Sequence, residues 1–147
     1  IAKNITKPVV VNDKNRSFDL KALVANLPKD ANYVVLQKEL SDEERTFIDS
    51  CYNIFVPGET LETFSDTAAI CTYLDQVISV DTSVAHLSAA LGTPTSVMLA
   101  YRPDWRWGAE GETTEWYPSA RLIRQTRCGG WEKGLSTWHM DCLKDLT

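Results

Sequence analysis

The sequence predicts an α/β fold, a Rossmann-like parallel sheet with helices on both faces. Three observations predict it. Helical and strand-like segments alternate along the chain. The strand-like segments are short, unbroken apolar runs, the pattern of strands covered on both faces. The chain has 147 residues, 44% hydrophobic and 24% charged, which suits one globular domain with its own core spanning 1–147.

The elements follow in order. Ser17–Leu27 carries Phe18, Leu20, Leu23, Val24 and Leu27 at helical spacing. Tyr33–Gln37, "YVVLQ", is a β-branched run read as a strand. Ser41–Ser50 reads as a helix, with Ser41 as N-cap and Glu44 at the capping-box spacing. Asn53–Val56 is strand-like and ends at Pro57-Gly58. Ser65–Leu74 is a helix with Ser65 or Asp66 as cap, and Gln76–Val80 is a strand. Ser83–Leu91 is a helix closed by Gly92, with Pro94 beyond it. Thr95–Leu99 is a strand, followed by a long aromatic and charged loop. Ala120–Gln125 is the last strand, and a weakly periodic helix spans Gly134–Leu146. Pro8–Val11, "PVVV", fits a strand or a loop.

Composition narrows the function. A net charge of −5 argues against a general nucleic-acid or anionic-membrane binder. No apolar run reaches membrane-spanning length, and no signal-peptide pattern is present. The opening "IAKNITK" lacks an initiator Met and reads as the start of a fragment of a longer protein. Cys51, Cys71, Cys128 and Cys142 form no C-x-x-C pair, so reduced thiols in a cytoplasmic protein are expected rather than disulfides or a zinc site. His86 and His139 lie in unrelated segments, and no metal constellation, G-x-G-x-x-G, Walker loop or G-x-S-x-G elbow occurs.

In parallel sheets, ligands bind outside the carboxyl ends of the strands. Four segments fall there: "QKE" from Gln37, "PGETLETF" after Val56, "DTS" after Val80 and "AYRPDWRW" after Leu99. "DTS" sits where an apolar strand becomes a small-residue helix. Asp81 as N-cap would leave the N–H groups of Thr82, Ser83 and Val84 pointing outward, an anion site at the positive end of the helix dipole. Two or three charge-assisted hydrogen bonds, each about 1.5–3 kcal/mol, would supply much of the ~8 kcal/mol behind micromolar affinity. A plain helix cap explains the same residues. Asp81 carries the wrong charge for a phosphate, so its carboxylate is expected to face the helix N–H groups or a ribose hydroxyl.

His86 lies one turn into that helix among alanines, either a hydrogen-bonded core residue or a donor-site residue. Gln37 suits a base or sugar contact, and Lys38 could neutralise a diphosphate; solvated loop polarity is the plainer reading of both. Arg16 precedes the first helix and could reach the same edge. Tyr101–Pro118 gathers Tyr101, Trp105, Trp107, Trp116 and Tyr117 around Arg102 and Arg106, and must fold onto something because exposed tryptophan is unfavourable. Covering the sheet edge and facing a sugar nucleotide are both open to it.

Taken together, "NDKNRSFDL", "LQKE", "DTAAI", "DQVISVDTSVAHLSAALGTPTSVML", "PDWRWG" and "WYPSARLIRQ" resemble one family across nearly the whole chain. They are similar to the carboxyl-terminal domain of bacterial tetratricopeptide-repeat glycosyltransferases, which are related to lipopolysaccharide heptosyltransferases and more distantly to O-linked N-acetylglucosamine transferase. The resemblance implies the carboxyl-terminal half of a glycosyltransferase-B fold, the half that binds the nucleotide-sugar donor. By motif match, Asp81, Thr82 and Ser83 would lie at the donor diphosphate and ribose, Gln37 and Lys38 at the strand end near the diphosphate or sugar, and Arg16 in the first loop. The segment Glu59–Phe64 would lie near the base. No metal or other cofactor is implied; the nucleotide-diphosphate sugar is a substrate.

The implied reaction is an inverting displacement at the anomeric carbon, with helix N–H groups and Lys38 or Arg16 stabilising the departing diphosphate. A protein or glycan acceptor would be deprotonated by a base from the missing amino-terminal half, so this chain alone would transfer nothing, and no catalytic residue is assigned in it. Tetratricopeptide repeats in the same chain are a further implied partner. At "IAKNITK" the sequence departs from the family's first strand and loop. A catalytically inactive Rossmann-like scaffold domain attached to protein-binding repeats is the alternative. A flavodoxin-like or response-regulator reading lacks the acidic cluster that a phospho-acceptor needs.

Overall fold

The computed structural model describes residues 20–37, 40–57, 61–128, 130, 131 and 136. The described elements run α1 (Leu20–Ala25), β1 (Tyr33–Val34), α2 (Asp42–Asp49), β2 (Ile54–Phe55), α3 (Phe64–Tyr73), β3 (Val77–Val80), α4 (Ser83–Ala90), β4 (Thr95–Leu99), a 3-10 turn (Trp105–Trp107) and β5 (Ala120–Arg124). All strand pairings are parallel, as the alternation predicts. β3, β4 and β5 form one ladder in that order, with Val77 opposite Thr95 and Thr95 opposite Ala120. β1 and β2 form a second ladder, with Tyr33 opposite Ile54. Tyr33 packs against the cluster containing Ile78 and Val80, and Val34 against that containing Val77, so β1 is the strand of its pair nearer β3.

Every residue of β3 and of β4 is buried, which requires cover on both faces. Alternation sends Val97, Leu99, Ala120 and Leu122 to one face, against Ala85 and Ala89 of α4 and against Trp107. Ile78, Val80, Met98 and Ile123 face the other way, against Leu23 and Leu27 of the α1 region and Trp131. α2 packs Ile48 on Leu20 and Val35. Small residues let α4 lie close to the sheet: Ser88 and Thr95 are buried together, Thr95 Oγ1 lying 2.9 Å from Ser88 Oγ.

The caps explain where the helices begin and end. Ser41 and Glu44 form the expected capping box on α2. On α3 the cap is Thr63, with Asp66 as its reciprocal partner, rather than Ser65 or Asp66. The hydroxyl two residues earlier places Asp66 at the third helical position, where its carboxylate reaches the Thr63 N–H. Gly92 ends α4 at φ +82°, with Gly92 N–H donating to the Ala89 carbonyl and Thr93 N–H to that of Ser88. This is a Schellman ending, whose left-handed residue favours glycine.

Two strands are shorter than expected. The ladder of β1 covers Tyr33 and Val34, although Val35 N–H still reaches the Phe55 carbonyl at 2.9 Å. β2 is an edge strand with Phe55 largely exposed, so its apolar run does not signify cover on both faces. Pro8–Val11, Ser17–Asp19 and all of Gly134–Leu146 except Ser136, which is helical, lie outside the described residues.

The central strand sets the stability. Met98→Ala removes a buried side chain from between α1 and the sheet and is expected to lower unfolding free energy by about 2–5 kcal/mol in urea. Tyr73→Ala, at an exposed position, is expected to change it by less than about 0.5 kcal/mol.

Candidate functional site

The turn after β3 departs from the sequence expectation in one informative way. The N-cap of α4 is Thr82, not Asp81, and it makes no side-chain capping bond. Its hydroxyl lies 2.9 Å from Ser79 Oγ. Ser79 Oγ donates its own proton to the Val80 carbonyl, leaving Thr82 as the donor in that pair. The first helical donors are therefore Ser83, Val84 and Ala85, with His86 N–H closing the first intrahelical bond to the Thr82 carbonyl at 3.3 Å. Ala85 is fully buried, Val84 half-buried and Ser83 exposed, so Ser83 and Val84 are the donors within reach of a ligand. In α2 and α3 a capping box engages the N–H of the third helical residue and places acidic side chains in the first turn; the first turn of α4 has neither a side-chain cap from Thr82 nor an acidic residue.

Asp81 does not face the helix N–H groups. Its carboxylate is turned to His86, with Oδ1 3.5 Å from Nε2. The other ring nitrogen, Nδ1, is 3.0 Å from the Tyr117 hydroxyl. Nδ1 and the Tyr117 hydroxyl share a hydrogen bond, and Nε2 faces the Asp81 carboxylate at ion-pair distance. The ring also stacks on Trp107, centroids 4.9 Å apart and planes 24° apart. His86 is thus held on its face by Trp107 and at Nδ1 by Tyr117, with Asp81 beside Nε2. It joins the turn after β3 to the aromatic loop and acts as a positioning residue.

That loop replaces a helix. β4 and β5 are parallel, so the chain must return from Leu99 to Ala120, and among the described residues it does so with only a 3-10 turn. Asp104 caps this turn, its Oδ1 accepting from Arg106 N–H at 3.1 Å. Trp107 takes the place of helix side chains over Val97, Leu99 and Leu122 and is 2% exposed. Its Nε1 is buried and has no hydrogen-bond partner among the described residues.

A loop of this kind leaves carbonyls unpaired, and Arg124 supplies the donors. Its guanidinium bonds the carbonyls of Trp107, Gly108, Glu110 and Gly111. Burial pulls this guanidinium below the ordinary arginine pKa, opposed by the nearby Glu110 charge. Leu122 N–H donates to the Glu112 carbonyl at 2.7 Å, so the same loop protects the outer edge of β5. Gln125, also buried, accepts from Tyr101 N–H at 2.9 Å and fixes the start of the loop.

Between the loop and the first turn of α4 lies an open cleft of about 400 Å3, lined by His86, Arg106, Trp107, Trp116 and Tyr117. The expectation that the tryptophans fold onto the protein holds for Trp107 alone. Trp105 is 75% exposed and Trp116 61% exposed, and they meet edge to face.

The other predicted residues divide. Gln37 is half-buried and follows Leu36, which shares an apolar cluster with Val84 at the start of α4. Lys38 and Arg16 lie outside the described residues, as do Glu59 and Thr60 of the segment expected near a base. Cys51, Cys71 and Cys128 are free thiols. Burial raises the Cys71 thiol pKa, which marks it as a packing residue. Among the described residues no group of His, Cys, Asp and Glu side chains could hold a metal ion, and no helix is long and apolar enough to cross a membrane. Sequence reasoning named Tyr117 only as one of the loop aromatics and missed Arg124 as a builder of the loop. The available signal was a twenty-residue connection between two parallel strands with no helical period, whose carbonyls need a donor.

The fold and site define an α/β domain with parallel strands and an open helix N-terminus beside an aromatic cleft. Comparison with protein-family models, curated proteins and solved structures finds no match for this chain.

Arg124→Lys tests the role of the guanidinium, because an ammonium cannot span four carbonyls. It is expected to lower stability by about 1–3 kcal/mol. It should also make the loop between Leu99 and Ala120 the first site of limited proteolysis. A variant as resistant as the parent would mean that packing of Trp107 alone holds the loop.

Proposed function

We propose that this chain is the donor-binding domain of a metal-independent inverting glycosyltransferase, the half that holds a nucleotide-diphosphate sugar, with the acceptor base supplied by an amino-terminal half. What supports this reading is one observation above all. At the carboxyl end of a parallel sheet, α4 opens with two reachable N–H groups, Ser83 and Val84, and no side chain caps them. Helix N–H groups and the helix dipole suit a diphosphate. Asp81, directed at His86, keeps its negative charge engaged beside the turn. The family resemblance of the "VDTSVAHLSAALG" segment supplies the sugar-nucleotide part of the proposal.

In the proposed reaction the acceptor oxygen attacks the anomeric carbon as the bond to the diphosphate breaks. The turn's task is to stabilise the negative charge that collects on the leaving diphosphate oxygen. His86 holds Asp81 and the aromatic loop in register while this happens.

The test is thermal melting of the protein with UDP, GDP and ADP. The melting temperature should rise with ligand concentration for at least one of them, with stabilisation of about 2.7 kcal/mol at a hundredfold excess over Kd. Ser83→Pro sharpens the test. Ser83 is the first helical residue, where proline fits, and Thr82 before it is extended at φ −138°, which proline permits. The variant should melt normally without ligand and bind the nucleotide about tenfold or more weakly, since one donor is gone. If no nucleotide shifts the melt at millimolar concentration, or Ser83→Pro binds as the parent does, the turn is a helix start and nothing more.

A further inference from the structure

We infer that the aromatic cleft is a saccharide site, which receives a neutral pyranose ring against Trp116. The inference stands on the cleft and not on the nucleotide reading. Three features converge there. First, two large indoles are exposed side by side, Trp105 and Trp116, with centroids 6.5 Å apart and planes at 79°. An exposed pair of indoles of this kind marks a contact surface. The edge-to-face contact buttresses Trp116 and leaves its ring a firm platform for the apolar C–H face of a sugar.

Second, the polar groups of the lining are mainly donors. Arg106 presents a guanidinium whose Nε is 3.2 Å from Asp104 Oδ1, and its two Nη nitrogens have no partner among the described residues. Of the His86 nitrogens, Nδ1 is hydrogen-bonded to Tyr117 and Nε2 faces the Asp81 carboxylate. Among the described residues no Asn, Gln, Asp or Glu side chain lines the cleft, so they do not supply the in-plane mix of donors and acceptors that reads a nucleobase edge. A ring bearing several hydroxyl oxygens satisfies such a lining. Third, Asp104 balances the Arg106 charge, so the cleft itself suits a neutral ligand. The volume of about 400 Å3 lies in the small-molecule range of roughly 300–1,000 Å3.

The ring has two possible sources: a free glycan, or the sugar of a nucleotide sugar whose diphosphate sits at α4. Both end on the same chemistry at Trp116. The experiment separates them by saturation-transfer NMR and tryptophan fluorescence on the protein. The probes are methyl β-glucopyranoside, methyl β-galactopyranoside and N-acetylglucosamine, then UDP-glucose, UDP-galactose and UDP-N-acetylglucosamine, with UDP alone as control.

At least one ring should receive saturation on its C–H protons. Trp116→Ala should weaken its binding by about tenfold, and Trp116→Phe should restore most of it, because an aromatic face remains. Trp116 is exposed, so both variants should melt as the parent does. If the free saccharides bind in this way, the source is a free glycan. If only the UDP-sugars bind, and Trp116→Ala weakens them while leaving UDP unchanged, the source is the donor sugar. If no ring is saturated in either set, or if Trp116→Ala leaves every affinity unchanged, the inference is wrong. UDP binding that survives alongside that result would leave the nucleotide reading standing.

Discussion

The constraint on which the rest of the structure depends is the complete burial of β4. A five-residue parallel strand with no exposed residue must be roofed on both faces and flanked on both edges. One roof is the α1 region with Trp131. The other is α4, extended sideways by Trp107 where a crossover helix would normally lie. Because that extension is a loop, its carbonyls need a donor, and Arg124 at the end of β5 serves four of them. Burial of the strand, the aromatic loop and the arginine clamp are therefore one arrangement.

The candidate site follows from the same arrangement. α4 must run back along the sheet to cover β4, so its N-terminus lies at the carboxyl edge. Whether that end is open depends on a single hydroxyl. Thr82 is committed to Ser79 in the strand below, and the first turn keeps its donors. Asp81 is drawn to His86, and His86 is held in turn by Tyr117 and by stacking on Trp107. The turn and the aromatic cleft are thereby joined through one imidazole, which lines the cleft and touches both.

The strand-helix alternation, the Ser41 and Glu44 capping box, the Gly92 helix end and the position of the turn at Asp81–Ser83 were all legible in the sequence, because each depends on local chemistry or on period. What was not legible depends on tertiary partners. Asp81 and Thr82 are both good capping residues, and only the hydroxyl of Ser79 decides how the turn is used. Thr63, Ser65 and Asp66 present the same ambiguity at α3, settled by which spacing closes a reciprocal pair. The role of Arg124 was hidden because its partners are backbone carbonyls, which leave no mark in sequence. The exposure of Phe55, Trp105 and Trp116 was hidden because an apolar residue looks the same whether it faces a core or a ligand. Arg16 and Lys38, placed at the binding edge by sequence position and by the resemblance, lie outside the described residues.

The central claim is that the open first turn of α4 is an anion cradle. The most direct measurement is a 1H–15N NMR titration of the protein with inorganic pyrophosphate, following the backbone amides of Ser83 and Val84 beside those of Asp42 and Glu43 in the first turn of α2, whose acidic side chains repel an anion. The account predicts saturable shifts at Ser83 and Val84 and small, linear drifts at Asp42 and Glu43. Equal behaviour at the two helices, or no saturable shift at Ser83 and Val84, would contradict it.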